Sequence, residues 1–275
     1  MNISKLLQID DHQIFNNQKI FEKSTESKKQ QYFLPFGTKS FDEILQGGFL
    51  SKKKYLIFGE SKTGKTLLCH QLCVQAYLHF SQHNQNFQYE QSPFVFYFDT
   101  ENTFRPERLR EMVKKNKIEY NKFLKTILVS KIMSNSALLL SLKELENHLK
   151  KNSCNILIID TINNYYNSEL ANKELSPNKT KLIFLKILNK INALSEKYNL
   201  ITITTTQVIS NFIQVPLIRV IPVGNHLLNH FFSEYLYLDY LNQEKRYVHL
   251  VNSMTLPEKR LLYRITSLGI EDYRI

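Results

Sequence analysis

The chain has 275 residues, 43% of them hydrophobic, and a formal net charge of +11. The length suits one domain with a short tail, the apolar share suffices for a sizeable core, and no apolar run reaches the roughly 18 residues of a membrane span. The excess of Lys and Arg favours polyanionic partners through long-range attraction, against the plainer readings of genome bias or a solvated lysine face.

Residues 1–32 read as an N-terminal tail or linker. Met1-Asn2-Ile3-Ser4-Lys5 leads to Asp10-Asp11 and not into the apolar stretch of a signal peptide. Ile14, Phe15, Ile20 and Phe21 are isolated apolar anchors, and 23–31 (KSTESKKQQ) is too polar to fold alone. The core, 33–275, opens with a short helix over 40–45 that ends at Gly47-Gly48, then an apolar strand over 55–58. That strand runs into Gly59-Glu60-Ser61-Lys62-Thr63-Gly64-Lys65-Thr66, which fits G-x-x-x-x-G-K-[ST] without a mismatch, and a helical pattern over 66–80 runs out of it. Strand, loop and helix in that order are the setting of a phosphate-binding loop. Its glycines let the backbone approach the phosphates, and its N–H groups and the helix N-terminus attract the anion. Lys65 would reach the β- and γ-phosphates of ATP, and Thr66 would hold Mg²⁺. The chain has only seven glycines, so placing Gly59 and Gly64 here signals a conformational need.

After a polar loop over 83–91, residues 94–98 form a continuous apolar run of β-formers ending at Asp99, as in a strand buried on both faces. A helix over 106–115, a strand over 126–130 and a helix over 136–150 follow, the last with Leu138, Leu139, Leu142, Leu145 and Leu149 along one side. Residues 155–160 make another buried strand, ended by Asp160 in a Walker B arrangement that would bind Mg²⁺. Ser176 as N-cap and Pro177 at the first helical position start a helix that runs to about 197. A strand over 200–206 ends at Gln207, and 235–240, 246–251 and 261–266 suggest a terminal antiparallel set. Strands alternating with helices predict an α/β fold with a mainly parallel sheet, and Asp99, Glu101, Asp160 and Gln207 fall at the strand ends where such folds bind ligands. Glu101 is placed to orient or deprotonate a water at the γ-phosphate, or else pairs with Arg105 or a lysine. Gln207 can report the γ-phosphate to the following loop, or merely cap a strand.

Cys69, Cys73 and Cys154 form no framework; they fit small buried core residues of a reducing compartment, since metal or redox chemistry would need more partners. With no signal peptide visible, the expected location is the cytoplasm, or the nucleus if the host is eukaryotic.

Several segments together resemble the RecA superfamily of recombinases, particularly archaeal RadA, its short paralogue RadB, and the eukaryotic recombinase with its paralogues. They are Phe36-Gly37-Thr38-Lys39-Ser40-Phe41-Asp42 through Gly47-Gly48, the G-E-x-x-[ST]-G-K-T form of 59–66, and Asp99-Thr100-Glu101-Asn102-Thr103-Phe104-Arg105-Pro106-Glu107-Arg108-Leu109. Thr206-Gln207-Val208 and Arg264-Ile265-Thr266 with Gly269-Ile270-Glu271-Asp272 complete the match over about 33–273. The resemblance implies a RecA-like ATPase core with a C-terminal antiparallel extension, bound ATP and Mg²⁺, single-stranded DNA as partner, and association with itself or with a recombinase of the same superfamily. It also implies that Glu101 activates water, Arg108 packs near the adenine, and Gln207 links nucleotide to the second DNA loop. Pro222, in Pro222-Val223-Gly224, and His230 would reach ATP held by a neighbouring protomer. Lys173, in a first DNA loop matched to 166–175, and Arg219, in a second loop over 208–221, are the candidate DNA cations. Phe21 and Ser24 are the candidate oligomerisation residues, with Ser in place of the family's Ala; a free tail is the alternative.

Departures from the family pattern point to an accessory, RadB-like form. Only about 32 residues precede the core, too few for the family's helical N-terminal domain. Asn167 replaces an arginine, Asn225-His226 replaces Gly-Asn, and Asn252 replaces the aspartate of RadA's cation-dependent cap. The second loop has no glycine and is rich in Ile209, Phe212, Ile213, Val215, Leu217 and Ile218, either to wedge between bases or, in the reading preferred here, to pack on a partner or the core. A full strand-exchange recombinase and a nucleotide-gated protein-binding module with vestigial ATPase are the rivals.

Overall fold

The apolar runs of the sequence become the central strands of one sheet. The computed structural model describes residues 31–83, 93–150, 154–212, 218–242 and 244–273. Contacts divide the chain into Met1–Gln31 and Tyr32–Ile275, and all described secondary structure lies in the second unit. Phe21 and Ser24 lie outside the described residues.

Strand β1 (Phe33–Leu34), helix α1 (Lys39–Ile44) and β2 (Phe49–Leu50) open the core, the two strands pairing antiparallel. Next come β3 (Lys54–Phe58), α2 (Lys65–His83), β4 (Val95–Asp99), α3 (Pro106–Lys115), α4 (Tyr120–Leu124), β5 (Ile127–Lys131) and α5 (Asn135–Leu149). They are followed by β6 (Ile156–Asp160), α6 (Asn164–Ala171), α7 (Pro177–Tyr198), β7 (Ile201–Thr205), the hairpin β8 (Val208–Ser210) and β9 (Val220–Pro222), and α8 (Asn225–Leu228). Strands β10 (Glu234–Tyr240), β11 (Arg246–Ser253), β12 (Lys259–Thr266) and β13 (Gly269–Asp272) close the fold. Among the described residues, nine strands form the main sheet in the order β13-β12-β11-β10-β3-β7-β6-β4-β5. From β10 to β5 all neighbours are parallel, and β11 to β13 extend the sheet antiparallel, as the sequence pattern predicts.

Every residue of β3, β4, β6 and β7 is buried, because helices cover both faces of the sheet. Leu68 and Leu72 of α2 belong to the core on one face, with Ile57 and Ile158. Leu138, Leu142 and Leu145 of α5 and Phe184, Ile187, Leu188 and Ile191 of α7 pack on the other, with Leu56 and Leu157. The stripe on α5 recurs every three or four residues, so one helix face points inward; each fully buried leucine contributes about 1.5–3 kcal/mol. Leu139, also read as part of that stripe, is only partly buried. Cys69 and Cys73 sit in the core of α2, where burial pushes both thiols up.

Two segments read as DNA loops are folded otherwise than the sequence reading has them. Most of the segment read as a first DNA loop, 166–175, is helix α6, because Tyr166 is buried and stacks on Phe184 with ring centroids 4.1 Å apart. Ser176 is the N-cap of α7 and Pro177 its first residue, as the sequence predicts; the Ser176 side chain makes no capping bond, so Pro177 starts the helix by its fixed φ. The second loop is built on a hairpin, β8 paired with β9. No helix among the described residues is long and apolar enough to cross a membrane.

Candidate active site

Parallel pairing brings Phe58, Asp99, Asp160 and Thr205 to one edge of the sheet, with Asp99 and Asp160 in register on adjacent strands. Between β3 and α2 the chain turns so tightly that Gly59 takes φ 151° and Gly64 φ 105°. A β-carbon on Gly59 would lie 2.0 Å from the carbonyl oxygen of Leu238, closer than any real contact. The loop's carbonyls are tied back by hydroxyls: Thr63 Oγ1 donates to Glu60 O at 2.8 Å, Tyr240 to Ser61 O at 2.7 Å and Tyr263 to Thr63 O at 2.5 Å. With its carbonyls held from behind, the loop can turn N–H groups toward an anion.

Lys65 Nζ donates to Gly59 O at 2.8 Å and Glu60 O at 2.9 Å. Burial lowers its pKa, while Asp160 and Glu101 pull it back up. A partly desolvated ammonium gains more from an anion than an exposed one does. Lys65, Thr66, His70, Glu101, Arg108 and Asp160 all line one cleft of about 440 Å³ beside Ser61, Lys62 and Gly64. Asp160 is fully buried; its carboxylate accepts the Tyr97 hydroxyl at 2.8 Å and the Thr205 hydroxyl, with Thr103 Oγ1 at 3.5 Å.

Asp99 shapes the turn that carries Glu101. Its oxygens accept the backbone N–H groups of Glu101, Thr103 and Phe104 at 3.2, 3.1 and 3.0 Å. Asn102 lies in that turn at φ 56°, a left-handed conformation that asparagine tolerates better than most residues, which is how it replaces the expected glycine. Glu101 Oε1 accepts from Thr161 Oγ1 at 3.2 Å and from Gln207 Nε2 at 2.8 Å. Arg105, its alternative partner, instead donates to the carbonyls of Asn102 and Phe104, both at 3.1 Å.

Gln207 belongs to a chain of amides. Its Nε2 also donates to Asn164 Oδ1 at 3.0 Å, its Oε1 accepts from Asn167 Nδ2 at 3.2 Å, and its N–H donates to Asn163 Oδ1 at 2.8 Å. Asn163 Nδ2 reaches the carbonyls of Gln207 at 3.0 Å and Val223 at 3.1 Å, so the carboxylate side of the cleft is wired to both roots of the β8–β9 hairpin. Sequence reasoning missed Asn163, Asn164 and Tyr97 as site residues. Asn163 and Asn164 stand just after the Walker B strand, but their partners lie more than 40 positions away, so no local signal marks them.

His70, also missed, is 2% exposed and packs edge-on against Phe104 at 5.3 Å; burial pushes its imidazole down to about 4, so it is neutral at pH 7. Its Nε2 and the Nε of Arg108 are buried without a hydrogen-bond partner, two polar atoms from residues that line the cleft. Arg108 Nη2 lies 3.4 Å from Thr266 O.

Pro222, His230, Lys173 and Arg219 do not line the cleft. Pro222 is buried in β9 and His230 is exposed after α8. Lys173 is exposed between α6 and α7, and the Nε of Arg219 lies 3.6 Å from a carboxylate oxygen of Asp239 with its side chain 65% exposed.

A phosphate loop at the carboxyl edge of a mainly parallel sheet, with two aligned aspartates beside it, defines a RecA-like α/β core. The family model described as Rad51 matches residues 27–273, and the chain belongs to that family, within the RecA superfamily of recombinases. It is similar to the meiotic recombination protein DLH1 of Candida albicans, 31% identical over 90% of this chain and 75% of that protein. Similarity extends to the meiotic recombination protein DMC1/LIM15 homolog of Homo sapiens, 30% identical over 90% of this chain and 72% of that protein. The DNA repair and recombination protein RadA of Ignicoccus hospitalis is 29% identical over 86% of this chain and 72% of its own length.

Proposed function

We propose that this chain is an ATP-dependent protein of homologous recombination and DNA repair, a RadA/RadB-like paralogue that assists recombinase function on single-stranded DNA. The observation that carries this reading is the 2.8 Å hydrogen bond from Gln207 Nε2 to Glu101 Oε1, which joins the carboxylate at the cleft to the start of the second loop. Lys65, Arg105 and Arg108 among the residues that line the cleft fit a polyanionic ligand. Lys65 and the loop N–H groups would bind the phosphates of ATP, and Arg108 would lie beside the base. Thr66 and Asp160 would hold Mg²⁺, whose charge offsets that of the phosphates. Glu101 would orient a water and take its proton. Thr161 and Gln207 both donate to its Oε1, holding the carboxylate in one orientation, and a change at the second loop would alter that hold.

Pro222 and His230 would complete the nucleotide site of a neighbouring copy, so turnover by an isolated protomer is slow. Phe21 and Ser24 would dock on that copy or on another recombinase of the superfamily. Lys173 and Arg219 would contact DNA phosphates. ATP turnover with and without single-stranded DNA, with Glu101→Gln as control, tests the reading. Slow turnover little changed by DNA, with ATP-dependent binding to a recombinase, is the expected result. Stimulation of about tenfold or more, lost in the control, would instead make the chain a self-assembling strand-exchange recombinase.

One observation favours a second reading, a nucleotide-gated protein-binding module with vestigial catalysis. Phe212 is 90% exposed and Ile209 50% exposed, so these residues of the second loop do not pack on the core. Tight ATP binding with no turnover and no DNA affinity at low salt would support it.

A further inference from the structure

Three consecutive residues of β10 touch both functional loops. The carbonyl of Leu238 abuts Gly59, and Tyr240 donates to Ser61 O at 2.7 Å; both contacts fall on the phosphate loop. Asp239 points to the opposite face, as alternation along a strand requires. Its carboxylate is 1% exposed and accepts the hydroxyls of Tyr237 at 2.7 Å and Tyr247 at 2.9 Å. The Nε of Arg219, at the return end of the second loop, lies 3.6 Å away, and the Arg219 N–H donates to the Tyr237 hydroxyl at 3.4 Å. Asn211 closes the loop across its base, donating from its N–H to Arg219 O at 2.8 Å and from Nδ2 to Ile218 O at 3.0 Å.

We propose that Asp239 is a positioning residue that clamps the base of the second loop to β10, and that β10 thereby links this loop to the phosphate loop independently of Glu101 and Gln207. A buried carboxylate is costly unless donors and a cation surround it, so the clamp is strongest when Arg219 is seated. Tyr247 stays a donor at neutral pH, since burial first and then Asp239 push its phenol up to about 12. The guanidinium of Arg260 lies over the Tyr247 ring, 3.4 Å from its centroid, and helps to fix that ring. Loosening the phosphate loop would shift the backbone of residues 238–240, and the carboxylate between those contacts would carry the shift to Arg219.

The link rests on the phosphate loop being the nucleotide site, whereas the clamp does not. Hydrogen–deuterium exchange of the full chain separates them, with Asp239→Asn and Arg219→Gln as variants and Mg²⁺·ATP as probe. Without nucleotide, the amides of 208–212 and 218–221 should exchange on the order of fivefold faster in both variants, with 54–58 unchanged. Arg219→Lys, which keeps a cation, should restore part of that protection. Arg219→Gln alters a largely exposed side chain, so it serves if Asp239→Asn fails to fold. Unchanged exchange at 208–212 and 218–221 would overturn the clamp. With Mg²⁺·ATP, protection of 59–66 reports binding itself, and protection of 208–212 and 218–221 should persist in Gln207→Ala and vanish in Asp239→Asn. Its survival in Asp239→Asn would overturn the link. No protection of 59–66 in the unaltered chain would overturn the nucleotide reading and the link with it, leaving the clamp to the nucleotide-free comparison.

Discussion

The corner around Lys65 and Asp160 and the β8–β9 hairpin adjoin each other and are built on opposite principles. At the corner, side chains from β4, β6, β7, β10 and β12 converge on one loop and one carboxylate, and Asp160 has no exposed surface. The hairpin has two three-residue strands, with Ile209 50% and Phe212 90% exposed, and its described anchors lie at its base. Reacting groups need the fixed positions that buried, multiply bonded side chains give, whereas short exposed segments are the ones that open at low cost.

Breaking the corner should have the largest effects. Lys65→Ala should cut ATP turnover on the order of 10³-fold, since the removed charge sits in a partly desolvated site. Retained turnover and ATP-dependent assembly, measured by phosphate release and light scattering, would refute the site assignment. His70 probes the same corner through pH. The unfolded chain takes up a proton near 6.5 that the fold resists down to about 4, so stability should fall as pH drops through that window. The loss is up to roughly 3 kcal/mol, and His70→Asn should flatten it in urea titrations at a series of pH values. Glu101→Gln should slow turnover on the order of 10²-fold and leave ATP affinity within about threefold, measured by calorimetry.

The hairpin should show the smallest change in stability. Phe212→Ala is expected to alter it by less than about 0.5 kcal/mol, because the ring buries almost nothing. The same variant should weaken single-stranded DNA binding by about 1–3 kcal/mol if the ring stacks on bases. Affinity should also fall steeply between low and moderate salt as counterions are released, and a flat dependence in fluorescence anisotropy would mean that the +11 charge serves another purpose. Together these two results decide whether the hairpin is a nucleic-acid surface or a protein one.

Much of the fold was legible because its signals are local. Continuous apolar runs marked β3, β4 and β6, leucine spacing marked α5, and the glycine-lysine spacing of 59–66 marked the loop before any contact was known. Asp160 and Glu101 could be nominated because strand ends in such folds collect ligands. Helix α6 was hidden, since its short polar segment is held by residues distant in sequence, as in the stacking of Tyr166 on Phe184.

What the sequence determined by itself is the fold class and the candidate loop: a G-x-x-x-x-G-K-[ST] run and buried strands depend on neighbours within a few positions, so order along the chain is enough. Tertiary structure alone decided how the groups are wired. Gln207 meets Glu101 across 106 positions, Tyr263 meets Thr63 across 200, and Asp239 gathers Tyr237, Tyr247 and Arg219 from three segments. Such contacts arise because the sheet stacks distant strand ends side by side, and buried polar groups must then find partners among whatever the packing brings within reach.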